Sequence, residues 1–245
     1  MTAPPIRVPR DFRIIAHRGA SGYAPENTMA AFRLADGMGV REIEFDLQLT
    51  KDGHMVVVHD PVLDRYGYEG VRVAETTLGE LKQLDMGAWF GEAHFRGEAM
   101  PTAAELFETF GRRFVYHAEI KAPSPLLAER LAEYLGRYGL ADASVVTSFD
   151  FDILVGYRAL SPTQPVGWLV RAGAFTPENA ERAAAAGFHQ FCPHAMDVNP
   201  DRVAAAKGRI AEVRAHGVKT REDAERVVRA GCGGMTINWP DWLSR

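Results

Sequence analysis

Cysteine is scarce: Cys192 and Cys232, forty positions apart, are the two in 245 residues. That excludes a disulfide scaffold and leaves no C-x-x-C metal spacing. The opening MTAPPIRVPRDFR has no apolar stretch long enough for an export signal, so the thiols are expected to be reduced and the protein cytoplasmic. The opening itself is expected to be a short disordered lead. No apolar run approaches the ~18 residues of a membrane-spanning helix, so no stable membrane anchor is expected. The 28 basic residues are scattered through a chain of net charge −4. No basic stripe suits nucleic acid, and no polybasic cluster suits an anionic membrane surface. AGCGG at 230–234 lacks the lysine and the spacing of a P-loop and reads as a helix stop. Low-complexity tracts and sequence repeats are lacking too.

What the chain has is core-forming material, with 47% hydrophobic residues. β-like runs at 13–17, 42–46, 115–120, 144–149, 165–170, 189–194, 210–216 and 234–238 alternate with amphipathic segments at 28–38, 101–110, 124–138, 150–160, 177–186, 200–207 and 221–230. Strands alternating with helices over about 250 residues predict an α/β fold, a (β/α)8 TIM barrel. One segment breaks the rhythm. EIEFD runs on into LQLTKDGHMVVVHD with no room for a crossover helix, so the chain must double back. A two-residue turn at Asp52-Gly53 sets His59 opposite Asp46. Residues from about 60 to 100, rich in Gly and aromatics, then form a small cap-like insertion after the second barrel strand, within one domain spanning 1–245.

In such a barrel the chemistry gathers where strands end. His17 and Arg18 end the first strand. Glu44 and Asp46, two apart, share one face of the second, with Ile43 and Phe45 turned to the helices. Glu119 and Lys121 repeat the spacing on the third, and the hairpin returns His59. Unpaired carboxylates on a buried strand are costly, and three together repel unless a cation joins them. Hard oxygen ligands point to magnesium or calcium on Glu44, Asp46 and Glu119. Arg18 as a forked donor and Lys121 as a point charge suit a phosphate. His17 and His59 supply a base and an acid near neutral pH. Together these describe metal-assisted cleavage of a small-molecule phosphodiester. His194 and Trp239, at later strand ends, are candidates for substrate contact. Cys192 reads as core, and Trp89-Phe90 either covers the site or packs the cap.

The segments AHRGASGYAPENTMAAF, IEFDLQLTKDGHMVVVHD, LDR, MPTAAELF and EIK closely resemble the glycerophosphodiester phosphodiesterase family, in order from about residue 13 to Asp241. The resemblance implies a TIM barrel with a small insertion and a divalent cation. The reaction it implies is hydrolysis of glycerophosphodiesters to glycerol 3-phosphate and an alcohol. By motif position it assigns catalysis to His17 and His59, the metal to Glu44, Asp46 and Glu119, and phosphate binding to Arg18 and Lys121. Asn27 and Thr28 fall to helix capping and loop shape. The departures are LDRYGYEG in the cap, AEVRAHGVKT with His216 on strand seven, where the family usually carries a tryptophan, and Asn238-Trp239 where an aspartate is common. They point to intact phosphate chemistry and an altered alcohol pocket. The alternatives are a lysophospholipase D acting on lipid, a non-catalytic module for phosphate ligands, and an unrelated barrel isomerase; a homo-oligomer is compatible with any of them.

Overall fold

The computed structural model describes residues 3–121 and 124–245. Its centre is a closed parallel barrel of β1 Arg13–His17, β2 Glu42–Leu49, β3 Val115–Ile120, β4 Ser144–Ser148, β5 Val166–Leu169, β6 Gln190–Cys192, β7 Glu212–Val218 and β8 Gly234–Ile237, with β8 paired to β1 and β1 to β2. Helices α1 Met29–Gly37, α2 Ala103–Phe110, α3 Pro125–Arg137, α4 Phe151–Leu160, α5 Pro177–Ala185, α6 Pro200–Lys207 and α7 Arg221–Arg229 follow the first seven strands. Each starts on a Ser, Thr, Asp or Asn whose side chain accepts an orphan N–H of the first turn: Thr28, Thr102, Ser124, Asp150, Thr176, Asn199 and Thr220. Such caps contribute about 1 kcal/mol apiece and fix where each loop at the mouth ends.

The pattern of β2 explains the layering. Phe45 points outward and is fully buried, edge-on to Phe32, Phe107 and Tyr116 at 6.1–6.4 Å. Phe45→Ala would cost about 3–5 kcal/mol. The alternate residues Glu42, Glu44 and Asp46 face the barrel axis. Below the mouth the interior is polar. Glu42 pairs with Arg13 at 3.0 Å and with His117 at 2.8 Å, and Glu212 bonds Arg13 at 3.0 Å and Gln190 at 2.7 Å.

Two expectations are corrected. The hairpin after β2 pairs Leu47 with Val57, Gln48 with Val56 and Leu49 with Met55, one position off the register expected from a two-residue turn. Lys51-Asp52-Gly53 forms a three-residue loop closed by Thr50 N–H to His54 O at 3.0 Å, with Gly53 at φ +80°. Asp46 therefore receives Val58 N–H at 3.0 Å, and His59 enters the mouth beyond the strand. The lead is also ordered where described: Ile6–Arg7 pairs with Leu243–Ser244, and Phe12 is buried. Met1 and Thr2 lie outside the described residues.

The chain between Val58 and Pro101 holds short helical turns around a small core of Val56, Val58, Leu63, Tyr66, Val73, Leu81, Met86 and Met100. Trp89 packs on Tyr66 and Phe90 and donates to Met86 O at 2.8 Å. Of the two uses considered for the aromatic pair, packing is the one observed.

Candidate active site

Strand register brings the sequence candidates together. His17 lies beside Glu44 across β1 and β2, and Asp46 beside Glu119 across β2 and β3. One pocket of about 240 Å³ at the mouth is lined by His17, Arg18, Glu44, His59, Glu119, Lys121 and His194, with Asp46 fully buried behind it. Trp239 is not among the lining residues. It stacks on Trp242 at 4.5 Å and packs against Gly22, where any side chain would collide with the indole.

Carboxylate oxygens of Glu44, Asp46 and Glu119 lie within 4.8 Å of one another. One oxygen of Glu44 and one of Asp46 are buried with no hydrogen-bond partner. Burial, and then Asp46 and Glu119, push Glu44 well above the usual carboxylate range. Burial and Asp46 push Glu119 up to about 7 against the pull of Lys121. Burial raises Asp46 too, but Arg18 and Lys121 overcome it and hold the group at about 2. A cluster of close carboxylates that the protein's own cations do not fully compensate, and that keeps two buried oxygens without partners, is a fit for a hard divalent cation.

Arg18 crosses this cluster. Its backbone is left-handed at φ +55°, which turns its N–H to Glu44 at 3.1 Å. Its guanidinium reaches Asp46 at 3.0 Å and Glu26 at 2.8 Å. An L-residue at positive φ is sparsely populated and is held by its surroundings, here a floor of carboxylates. Gly19, at φ +80°, follows because Ala31 leaves no room for a Cβ. Lys121 reaches Glu119 at 2.8 Å and Asp46 at 3.6 Å. Asn27, also left-handed at φ +57°, donates to Asp46 Oδ2 at 2.8 Å and accepts the Asp46 N–H at 3.4 Å. Thr28 caps α1 as expected.

Each histidine has a fixed orientation. His17 Nδ1 donates to Asn238 Oδ1 at 2.6 Å, which leaves Nε2, 3.8 Å from Glu44, with its lone pair toward the pocket. His59 Nδ1 donates to Asp60 Oδ1 at 2.6 Å. Both rings keep nearly a third of their side-chain surface open to the mouth. Burial and Arg18 lower His17, whereas burial lowers His59 against the opposing field of Asp46.

Sequence reasoning passed over Glu26, Asn238, Asp60 and Arg65 as parts of this site. Arg65, from the cap, bonds Asp60 at 2.8 Å and also pairs with Glu26, which in turn holds Arg18. The signal for two of them was adjacency: Glu26 stands inside PENT, and Asp60 directly follows His59.

The sequence model of the glycerophosphoryl diester phosphodiesterase family matches residues 17–242. The chain belongs to this family. A glycerophosphodiester phosphodiesterase of Caldanaerobacter subterraneus is 36% identical over 94% of this chain and 95% of its own length. One from Bacillus subtilis is 32% identical over 93% and 83% respectively. The solved structure of an Oleispira antarctica phosphodiesterase, in complex with the product sn-glycerol-3-phosphate, superposes with a TM-score of 0.86 at 29% identity, covering 96% of this chain and 94% of that one. Among the described residues, no helix of this phosphodiesterase-family chain is long and apolar enough to cross a membrane.

Proposed function

We propose that the protein hydrolyses glycerophosphodiesters to glycerol 3-phosphate and an alcohol with the help of magnesium or calcium. The observation that carries this reading is a pocket lined by Glu44, Glu119, two oriented histidines, Arg18 and Lys121, with Asp46 buried behind it and within 4.8 Å of the other two carboxylates. Glu44, Asp46 and Glu119 are the residues to hold the cation, which supplies Lewis-acid stabilisation of charge on the phosphoryl oxygens when bound. Arg18 and Lys121 bind the phosphate, and their positive charge favours the negative charge that grows in the transition state. His17, with a neutral amide behind it, accepts a proton at Nε2 from the attacking oxygen. His59, with the Asp60 carboxylate behind it, is the better-stabilised imidazolium and protonates the leaving alkoxide. The free thiols of Cys192 and Cys232 accord with a reducing, cytoplasmic setting.

Phosphorus NMR on a panel of glycerophosphodiesters and lysophospholipids, with each metal and with chelator, tests the reading. A monoester signal that needs metal and appears with the glycerol diesters is expected. Release from lysophospholipids alone would transfer the assignment to a lysophospholipase D, and ligand binding without turnover would reduce the protein to a binding module. A cyclic phosphate signal would identify a neighbouring substrate hydroxyl as the attacking group.

A further inference from the structure

Across the barrel from the β2–β3 carboxylates stand β6 and β7, four strands away. This wall carries cations and imidazoles and adds no carboxylate to the pocket lining. Arg214 on β7, 1% exposed, lies at the pocket floor. Its Nε donates to Gln190 Oε1 at 3.1 Å and its Nη1 to Thr236 Oγ1, both neutral. Its Nη2 is buried and unpartnered. The two carboxylates of the barrel floor are committed elsewhere, Glu42 to Arg13 and His117, and Glu212 to Arg13 and Gln190. A buried guanidinium with a spare donor and no direct ion pair is costly unless something anionic or polar meets it.

The rim above continues the pattern. His194 Nδ1 accepts Met196 N–H at 3.2 Å, which leaves the proton on Nε2. That nitrogen lies against Gly217, where a Cβ would overlap the ring. His216 Nε2 donates to Val170 O at 2.9 Å. Lys219 lines the same pocket and has no carboxylate partner among the described residues; Arg171, in the loop after β5 and outside the lining itself, sits 5.3 Å over the ring of Phe149, which lines it, and makes no ion pair among the described residues. Two carboxylates of the outer rim are engaged: Asp223 by Arg226 at 2.8 Å and by the N–H groups of Lys219 and Thr220, and Asp197 by the Gly173 N–H at 2.7 Å.

Resting on the function proposed above, we propose that this wall is a second anion subsite, and that the preferred substrates are glycerophosphodiesters whose alcohol carries a carboxylate or a phosphate monoester. A choline or ethanolamine head would meet like charge from Arg171, Lys219 and Arg214.

Steady-state kinetics of the metal-loaded enzyme on four glycerophosphodiesters tests this. The leaving alcohols are propanol, choline, hydroxypropanoate and hydroxypropyl phosphate. The expected result is a kcat/KM at least about tenfold higher for one or both anionic diesters than for the propyl one, with choline lowest. The anionic-to-propyl ratio should fall severalfold in the double variant Arg171→Ala/Lys219→Ala, and again in Arg214→Met. The surface pair keeps the test decisive if Arg214→Met does not fold. Equal rates, a preference for choline, or a ratio that the surface pair leaves unchanged would overturn the subsite while leaving the phosphodiesterase reading intact. Inertness toward all four would instead strike that reading. Which anionic diester leads tells a carboxylate ligand from a phosphate one.

Discussion

His59 and Asp60 are bound to one another through Nδ1–H and Oδ1 at 2.6 Å, while the other histidine of the pocket, His17, makes the same contact to the uncharged Asn238. A carboxylate behind an imidazole stabilises the imidazolium, whereas an amide oxygen mainly fixes the tautomer. In the function proposed above, this asymmetry is what assigns His59 as acid and His17 as base.

That separation is measurable through the leaving group. His59→Ala should lower turnover at least about a hundredfold on alkyl diesters, because a poor leaving alkoxide needs a proton. On a nitrophenyl phosphodiester, which leaves unprotonated, the same variant should lose little. His17→Ala should be impaired on both. Asp60→Asn should follow His59→Ala in sensitivity to the leaving group, with a smaller loss. Equal losses for His17→Ala and His59→Ala on both substrates would reverse or erase the assignment.

The carboxylate cluster makes stability of the chelated protein depend on pH. Glu119 stands at about 7 and Glu44 is raised as well, both above the ordinary value of a carboxyl in an unfolded chain. Their contribution is fully present below the unfolded value and is lost as pH rises through the folded one. Asp46, held at about 2, works in the opposite sense: its contribution is constant above about pH 4 and is lost only as pH falls toward 2. Between pH 5 and 8 the melting temperature with chelator should fall by roughly 5–10 °C. Saturating metal should remove most of that fall by occupying the ionised cluster. Glu119→Gln should flatten the chelated profile; an unchanged slope in that variant would place the pH dependence elsewhere.

Much of this was legible in the sequence because barrel chemistry follows simple periodicities. The two-residue repeat of β2 separates Ile43 and Phe45 from Glu44 and Asp46, and a strand-end position is enough to aim His17 and Arg18 at the mouth. The hairpin register was not legible. Asp52-Gly53 serves a two-residue turn and a three-residue loop equally well, and the choice depends on Thr50 bonding both Asp52 and His54. Nor was the left-handed backbone of Arg18, which depends on carboxylates distant in sequence. Trp239 looked like a substrate contact from its place at a strand end, yet its ring is taken by Trp242 and Gly22. Arg214 went unnoticed because a single arginine in a strand reads as solvated until closure of the barrel buries it.

Arg65 ties the cap to both halves of the site. It bonds Asp60 behind His59 and Glu26 behind Arg18, and its guanidinium lies 4.8 Å over the Tyr66 ring. Glu26 is nearly buried, so Arg65→Met leaves its charge with Arg18 and the Tyr66 hydroxyl as partners. Allowing for the exposure of Arg65, the variant should be destabilised by about 1–3 kcal/mol in urea unfolding. If Arg65 also positions the two motifs, kcat should fall about tenfold while KM changes little, and Arg65→Lys should restore only part, since an ammonium cannot reproduce the fork. A loss confined to stability would restrict Arg65 to holding the cap.

Asn27 gives a way to separate backbone from side chain at the carboxylate cluster. Its amide donates to Asp46 Oδ2 and accepts the Asp46 N–H, and its φ of +57° is one that few residues adopt. Asn27→Gly keeps the backbone easy and removes the amide; Asn27→Ala removes the amide and adds strain of about 1–2 kcal/mol. If the amide orients Asp46 for the cation, both variants should bind magnesium or calcium about 10–100-fold more weakly by calorimetric titration. Only Asn27→Ala should also show the added loss of stability with chelator present. Wild-type metal affinity in Asn27→Gly would mean that Asp46 is oriented by Arg18 and Lys121 alone, and that Asn27 serves the turn of the chain into α1.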